Sequence, residues 1–168
     1  NRLLFNDRLT VALGQLDRGG PAPSLMFTDV DGFKEVNDTY GHRVGDIVLA
    51  AIAQQLKNSV RKTDTVARIG GDEFVLLMTS LHQPEDAARI ADAMLAAVRA
   101  PIVADGHVIS VTLSIGIALF REGDDADSLL MRADKAMYAV KNRGGDARAF
   151  DSEVSDPVAD DPAPGASD

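Results

Sequence analysis

The chain contains no cysteine. That excludes disulfides and thiolate metal sites and fits a reducing cytosol. No apolar run approaches the ~20 residues that span a bilayer, and no signal-like segment opens the chain. The expected location is cytoplasmic, as a free protein or as the cytosolic part of a membrane-attached one, with no direct membrane insertion. There is no internal repeat and no basic stripe of the kind that tracks a nucleic-acid backbone, so no nucleic acid is expected as a partner. Lys and Arg sit singly among acids, which suits a small anionic ligand better than a polymer. The 26 Asp and Glu outnumber the 17 Lys and Arg, for a formal net charge of −9. The excess is concentrated at one end. Residues 151–168 hold six acids and no Lys or Arg, which leaves 20 acids against 17 bases in residues 1–150.

What is present describes one globular domain with a proper core: 168 residues, 45% hydrophobic and 26% charged. Residues 1–150 read as that domain. Residues 151–168, rich in Asp, Pro, Ala and Ser without apolar periodicity, read as a disordered acidic tail or linker. Asn1 to about Arg18 reads as an amphipathic helix burying Leu3, Leu4, Leu9, Leu13 and Leu16, ended by Gly19-Gly20-Pro21. Ser24–Val30 reads as a strand. About Gly45–Val60 reads as a helix, with Ile47, Val48, Ala51, Ile52 and Leu56 at helical spacing. About Pro84–Arg99 is a further helix, opened by Pro84. Ile102–Val103 and Val108–Leu119 read as strands around an Asp105-Gly106 turn. About Ala126–Asn142 is the last long helix, and Ala147–Phe150 a short edge strand.

Three segments carry chemistry. In Arg68-Ile69-Gly70-Gly71-Asp72-Glu73-Phe74 two glycines precede two carboxylates between the apolar stretches Thr65–Ile69 and Glu73–Met78. This reads as a β-hairpin. Glycines at its tip let a ligand approach the backbone, and acids beside it suit a divalent cation and through it a phosphate. Taken alone, the run reads more readily as a solvated turn with two surface acids, and the rest of the chain overturns that reading. The second segment, Ser24–Lys34, is an apolar strand ending in Asp29-Val30-Asp31, then Gly32-Phe33-Lys34. Its two carboxylates are expected on opposite faces, one towards a site and one capping or bracing. The third, Asn37-Asp38-x-Tyr40-Gly41-His42-x-x-Gly45-Asp46, reads as a polar turn opening the long helix, with Asp46 capping or beginning it.

Together these segments resemble the GGDEF family of diguanylate cyclases, which make cyclic dimeric GMP from two GTP. The resemblance runs from Asn1 to about Phe150. It also takes in Arg61-x-x-Asp64, Ser114-Ile115-Gly116 and Ala133-Asp134-x-Ala136-x-Tyr138-x-x-Lys141. Each motif is weak alone, but their joint order and spacing is specific. The resemblance implies an α+β fold, an α/β sandwich. In it a palm-like β-α-β-β-α-β central mixed, largely antiparallel sheet is flanked by helices and carries the GGDEF β-hairpin.

The resemblance also implies a site. Asp29, Asp72 and Glu73, with the Val30 carbonyl, would bind Mg²⁺ or Mn²⁺. Asp72 or Glu73 would activate the attacking 3′-hydroxyl, a choice the sequence leaves open. Asn37 and Asp46 would read the guanine edge, and Phe33, Lys34 and Lys141 would meet the phosphates. Gly70 and Gly71 would shape the approach, and His42 would line the pocket or merely cap and pack. Arg61 and Asp64 match the family's inhibitory product site, for which Arg89 would be a secondary contact; Ala93 stands where a second arginine would help.

One departure stands out: the family commonly carries Gly-Arg-Asn where this chain has Gly144-Gly145-Asp146, with Arg143 as a neighbour able to compensate. The partners implied are GTP, cyclic dimeric GMP as product and inhibitor, and a second copy for catalysis, since each domain holds one GTP. The abrupt start at Asn1 leads to the expectation of missing upstream sensory or dimerisation modules. The alternative reading is a non-catalytic module that binds GTP or cyclic dimeric GMP within a larger signalling protein. A third is some other palm-type nucleotidyl transferase, against which Asn37 with Asp46 speaks.

Overall fold

The computed structural model describes residues 1–16, 18–81 and 83–154. Its elements run in the order α1 (Arg2–Leu16), β1 (Ser24–Asp31), α2 (Phe33–Tyr40), α3 (His42–Ser59), β2 (Thr65–Arg68), β3 (Glu73–Met78), α4 (Pro84–Val98), β4 (Ile102–Ala104), β5 (His107–Ile109), β6 (Thr112–Leu119), α5 (Ala126–Asn142) and β7 (Ala147–Phe150). Five strands form one sheet in the order β2-β3-β1-β6-β7. All its pairings are antiparallel except β6 with β7. This is the mixed, largely antiparallel α+β sheet read from the sequence. β4 and β5 form a separate hairpin, with Asp105 (φ 51) and Gly106 (φ 81) both left-handed at its turn, the conformation a two-residue hairpin loop demands.

Strand side chains alternate between faces, and the two faces bury different partners. Met26 and Val30 of β1, Phe74, Leu76 and Met78 of β3 and Leu113, Ile115 and Ile117 of β6 pack against α2, α3 and α4. The intervening residues Leu25, Phe27, Val75, Leu77 and Ala118 pack against Phe5 and Leu9 of α1 and Leu129, Ala133 and Met137 of α5. Each fully buried Leu, Ile or Phe contributes about 1.5–3 kcal/mol. β1 is central and buried along almost its whole length, so its polar end is fixed by two apolar layers. Gly116 of β6 sits under α5. A Cβ there would stand 2.0 Å from the Ala133 carbonyl oxygen and 2.2 Å from the Met137 nitrogen, so only glycine lets the helix lie this close.

The structure departs from the expected elements in several places. α1 turns a different stripe inward: Phe5, Leu9 and Ala12 are buried, whereas Leu3 and Leu4 are 72% and 53% exposed. Positions 5, 9 and 12 form one helical face, and the leucines at 3 and 4 fall beside it. Asn37–Tyr40, read as part of a polar turn, belongs instead to helix α2, because Phe33 and Val36 form a short i,i+3 apolar pair that packs into the core. α3 therefore starts at His42 and Asp46 lies inside it rather than at its cap. Val48, Ile52 and Leu56 of that helix are buried, but Ile47 faces outwards. The long strand read from Val108 is broken into β5 and β6, which belong to different sheets.

The segment beyond Phe150 begins with an ordered 3-10 turn, Asp151–Glu153. Arg132, 15% exposed, holds Asp151 at 2.6 Å, also pairs with Asp124, and donates to the Leu119 carbonyl at 2.9 Å. Residues 155–168, the rest of the expected acidic tail, lie outside the described residues. Among the described residues, no helix is long and apolar enough to cross a membrane.

Candidate active site

The site lies where β1 ends beside the glycine hairpin. Asp29 is directly opposite Glu73 of β3 and Ser114 of β6. Directly opposed residues share a face, so the Asp29 and Glu73 carboxylates project together towards α5. Asp31 shares that face too, because residues i and i+2 of a strand point the same way; the expectation of opposite faces is corrected. The division of labour survives in another form. Asp29 meets Lys141 of α5, Nζ to Oδ1 2.5 Å. Asp31 instead accepts three hydrogen bonds from Thr112, Ser114 and the Asp146 N–H.

The hairpin is closed by Ile69 N–H donating to the Glu73 carbonyl, 3.0 Å, and by Arg68 Nε donating to the Gly70 carbonyl, 3.1 Å. Gly70 leaves room for Glu73 to fold back over the turn, since a Cβ there would lie 2.4 Å from Glu73 Oε2. Gly71 faces open space, with nothing within 4 Å of its would-be Cβ. Asp72 sits in the turn just before β3, and its carbonyl accepts from Val30 N–H at 3.2 Å. The Asp72 N–H does not return that bond to the Val30 carbonyl, which leaves this backbone oxygen beside Asp29 without a partner from the turn.

The charges crowd one another. Burial pushes the Asp29 carboxyl up; the Lys141 hydrogen bond opposes this, and Asp72 and Asp31 reinforce it. Burial likewise pushes Glu73 up, helped by Asp29, Asp134 and Asp72, and burial alone raises Asp134. For Lys141, burial acts downwards, but the hydrogen bond to Asp29 and the charges of Asp29, Asp72 and Asp31 outweigh it and hold the ammonium above its ordinary value. The folded chain therefore binds a proton at Glu73 more tightly than the unfolded chain does, and ionising Glu73 costs stability as pH rises through its raised value. In metal-free buffer at neutral pH, Glu73→Gln should melt at a higher temperature than the wild type. The gap should close as pH falls into the ordinary carboxylate range, about 4, where wild-type Glu73 is itself neutral. A Glu73→Gln chain that melts lower at neutral pH contradicts this picture of the charges.

On the other side of β1, α2 begins at Phe33 with Gly32 (φ 73) as its cap residue and no side-chain cap. The first N–H groups of a helix lack intrahelical partners and favour anions, so the backbone at Phe33 and Lys34 is available to one. The Phe33 ring is core. The Lys34 ammonium is turned away to Asp38, 2.6 Å, whose hydrogen bond raises its pKa. Asn37 is pressed against α3: a Cβ on Gly45 would lie 1.9 Å from Asn37 Oδ1. That Oδ1 is buried without a hydrogen-bond partner. Asp46 follows Gly45 on α3 and is exposed, as is His42 at the helix start.

Arg61 and Asp64 lie elsewhere. Their turn closes on itself, Arg61 N–H to Asp64 Oδ2 3.0 Å and Asp64 N–H to the Arg61 carbonyl 3.0 Å, while Arg61 Nη1 reaches the Ser80 carbonyl at 3.4 Å. Ser80 follows the end of β3 that pairs with the start of β1, whereas Asp29 pairs at the other end. Some five residues of strand, roughly 17 Å, separate the two regions. Arg89 turns its guanidinium to Asp86 on the same helix.

The comparisons with known proteins fit this geometry. The family described as "Diguanylate cyclase, GGDEF domain" matches residues 1–147. The chain belongs to this family. Among curated relatives of this GGDEF domain is the diguanylate cyclase TpbB of Pseudomonas aeruginosa, 42% identical over 159 residues, which cover 94% of this chain and 36% of TpbB. The bifunctional diguanylate cyclase/cyclic di-GMP phosphodiesterase MucR of the same species is 41% identical over 151 residues, 89% of this chain and 22% of MucR. The domain thus spans about a third or less of the length of these relatives. Its fold matches the crystal structure of the GGDEF domain of TpbB, also called YfiN, with TM-score 0.85 and 43% identity over 89% of this chain and 94% of that one. It also matches the GGDEF domain of DgcB from Caulobacter crescentus, solved in complex with c-di-GMP, with TM-score 0.84 and 28% identity over 90% and 91% of the two chains.

Ser114, Asp134 and Asp146 stand within the motifs without a role assigned from the sequence, and Thr112 stands outside them. Thr112 and Ser114 are the polar i,i+2 pair at the start of an otherwise apolar strand, a signal that was available. The reach of Asp146 back to Asp31, 115 residues away, left none.

Proposed function

We propose that this GGDEF domain is an active diguanylate cyclase, condensing two GTP into cyclic dimeric GMP with release of two pyrophosphates. The observation that carries the reading is the placement of Glu73 directly across from Asp29 on one face, beside Lys141. The donor set suits Mg²⁺ or Mn²⁺: carboxylates of Asp29 and Glu73, with Asp72 at the turn, and the spare Val30 carbonyl. Mg²⁺ takes one or two carboxylates together with substrate phosphates rather than a full protein cage. Bound there, the ion would neutralise charge building on the phosphoryl oxygens.

The chain's own residues supply the rest. The partnerless Asn37 Oδ1 and the Asp46 carboxylate are acceptors for guanine N1–H and N2–H₂, donors that adenine does not offer in that pattern. The uncapped N–H groups opening α2 and the Lys141 ammonium hold the phosphates. Asp72 or Glu73 takes the proton from the attacking 3′-hydroxyl, and the raised proton affinity of Glu73 favours it for that step. One domain holds one GTP, so chemistry needs two copies face to face. The test is turnover: GTP and Mg²⁺ in, cyclic dimeric GMP out, resolved by mass.

Product feedback belongs to the same proposal. Exposed Arg61 and half-buried Asp64 form a fork remote from Asp29, and Arg89 lends charge on α4 once released from Asp86. A guanidinium on a guanine edge or phosphate is worth about 1.5–3 kcal/mol. Arg61→Ala should therefore weaken product binding by roughly one to two orders of magnitude and leave initial GTP turnover intact. Calorimetric titration of cyclic dimeric GMP with the active site blocked reads this out, and equal affinities reduce Arg61–Asp64 to a surface turn.

A second reading, a module that binds GTP or its cyclic dimer without turnover and regulates an attached domain, is favoured by one observation. Gly145 stands where the resemblance places a phosphate-holding arginine. Turnover separates the two readings.

A further inference from the structure

Three donors from two distant segments converge on Asp31. Thr112 Oγ1 donates to Oδ2 at 2.7 Å, Ser114 Oγ to Oδ1 at 2.6 Å, and the Asp146 N–H to Oδ2 at 2.9 Å. Thr112 and Ser114 open β6. Asp146 belongs to the turn between α5 and β7, which starts two residues after Lys141. That turn is wound around the carboxylate. Gly144 (φ 110), Gly145 (φ 74) and Asp146 (φ 50) are all left-handed. A Cβ on Gly145 would stand 2.5 Å from Asp31 Oδ2 and 2.7 Å from Asp31 Cγ. From its other side Asp146 is held by Arg99, Nε to Oδ1 2.8 Å and Nη2 to the carbonyl 3.4 Å. The same turn ends α5, with Gly144 and Gly145 N–H bonded to the Lys141 and Val140 carbonyls, the pattern that satisfies a helix C-terminus.

We propose that Asp31 is a positioning residue for the phosphate end of the site, and that Gly145 permits the left-handed turn, wound tightly on this carboxylate, that brings the Asp146 N–H to it. The proposal rests on the GTP-site reading above. Asp31 locks the end of β1, with Asp29 and the Val30 carbonyl, to β6 and to the helix end that carries Lys141. The Asp29–Lys141 pair therefore keeps one geometry, and the triphosphate is gripped by Lys141 and the start of α2 with no contribution from position 145.

The test compares Asp31→Ala, Asp31→Asn, Thr112→Val and Gly145→Arg with the wild type in the full chain. It measures hydrogen exchange of the Asp146 amide, GTP affinity, and kcat and KM separately. Asparagine can keep the arrangement, its oxygen accepting from Thr112 and Asp146 while its amide donates to the Ser114 hydroxyl. Asp31→Asn should therefore retain Asp146 protection and turnover within about fivefold, the cost of one weakened bond. Asp31→Ala should lose Asp146 protection and roughly 100-fold in kcat, the scale of a 1 Å misplacement. Thr112→Val removes one donor, keeps Asp31 and should fall between, which preserves the test if Asp31→Ala does not fold. Gly145→Arg should lose Asp146 protection without tightening GTP.

Asp31→Asn as inactive as Asp31→Ala, with Asp146 protected in both, would make Asp31 a metal or substrate ligand and overturn the proposal. Gly145→Arg that binds GTP more tightly with Asp146 still protected would overturn the account of the glycine. A wild-type chain that binds GTP without turning it over contradicts the cyclase reading alone, since amide protection and GTP affinity in the same variants still decide the role of Asp31.

Discussion

Asp72→Ala should lose about 1,000-fold or more of GTP turnover while melting like the wild type. Asp72 is at the hairpin turn, outside both cores, so its side chain supports little of the fold. Its charge nevertheless reaches Asp29, Glu73 and Lys141, the three groups that would hold the cation and phosphates. Loss of a carboxylate that serves the cation costs several kcal/mol of transition-state stabilisation, and each ~1.4 kcal/mol is tenfold in rate. Circular dichroism melting and product mass on the same preparation separate the two effects. Near wild-type turnover in Mg²⁺ would remove Asp72 from the site.

The largest effect on stability is expected at Gly116. It is buried in β6 opposite Phe27, and its would-be Cβ meets backbone atoms of α5, the Ala133 oxygen at 2.0 Å and the Met137 nitrogen at 2.2 Å. Backbone in a packed helix cannot swing aside as a side chain can, so α5 must lift off the sheet. α5 carries Leu129, Ala133 and Met137 of the second core and delivers Lys141 to Asp29. Gly116→Ala should therefore cost ~3 kcal/mol, the upper end for overpacking, and lower the melting temperature by roughly 6–12 °C in a domain of this size. It should also weaken GTP binding through Lys141. An unchanged melting temperature would mean that α5 does not sit as close to β6 as described.

Much of this was legible in the sequence where a local pattern has one physical solution. β3 and α5 match their expected bounds, Glu73–Met78 and Ala126–Asn142, because glycine turns and sustained periodicity bracket them. The hairpin was readable from two glycines between apolar runs. α2 was not: Asn37, Asp38, Thr39 and Gly41 carry turn propensity, and only the packing of Phe33 and Val36 tips the segment into a helix. The stripe on α1 was misjudged because five leucines and Phe5 crowd the helix, and which of them is buried depends on where β1 and α5 lie. In the site, the pairing of Asp29 with Glu73 could not be read from either segment alone, because register between strands 44 residues apart is set by the whole sheet. The shared face of Asp29 and Asp31 follows from strand alternation alone and was open to correct reading from the start. The clamp on Asp31 was hidden because its third donor is a backbone N–H, which has no residue signature.

The most direct test of the central claim is mass-resolved product formation from GTP and Mg²⁺ by the wild-type chain over a wide range of protein concentration, with ATP as the control nucleotide. The account predicts cyclic dimeric GMP with two pyrophosphates per product molecule, none from ATP, and a rate per mole of protein that rises with concentration as two GTP-loaded domains meet. Tight GTP binding with no cyclic dimeric GMP at any concentration would contradict it and leave this GGDEF domain a nucleotide-binding regulatory module.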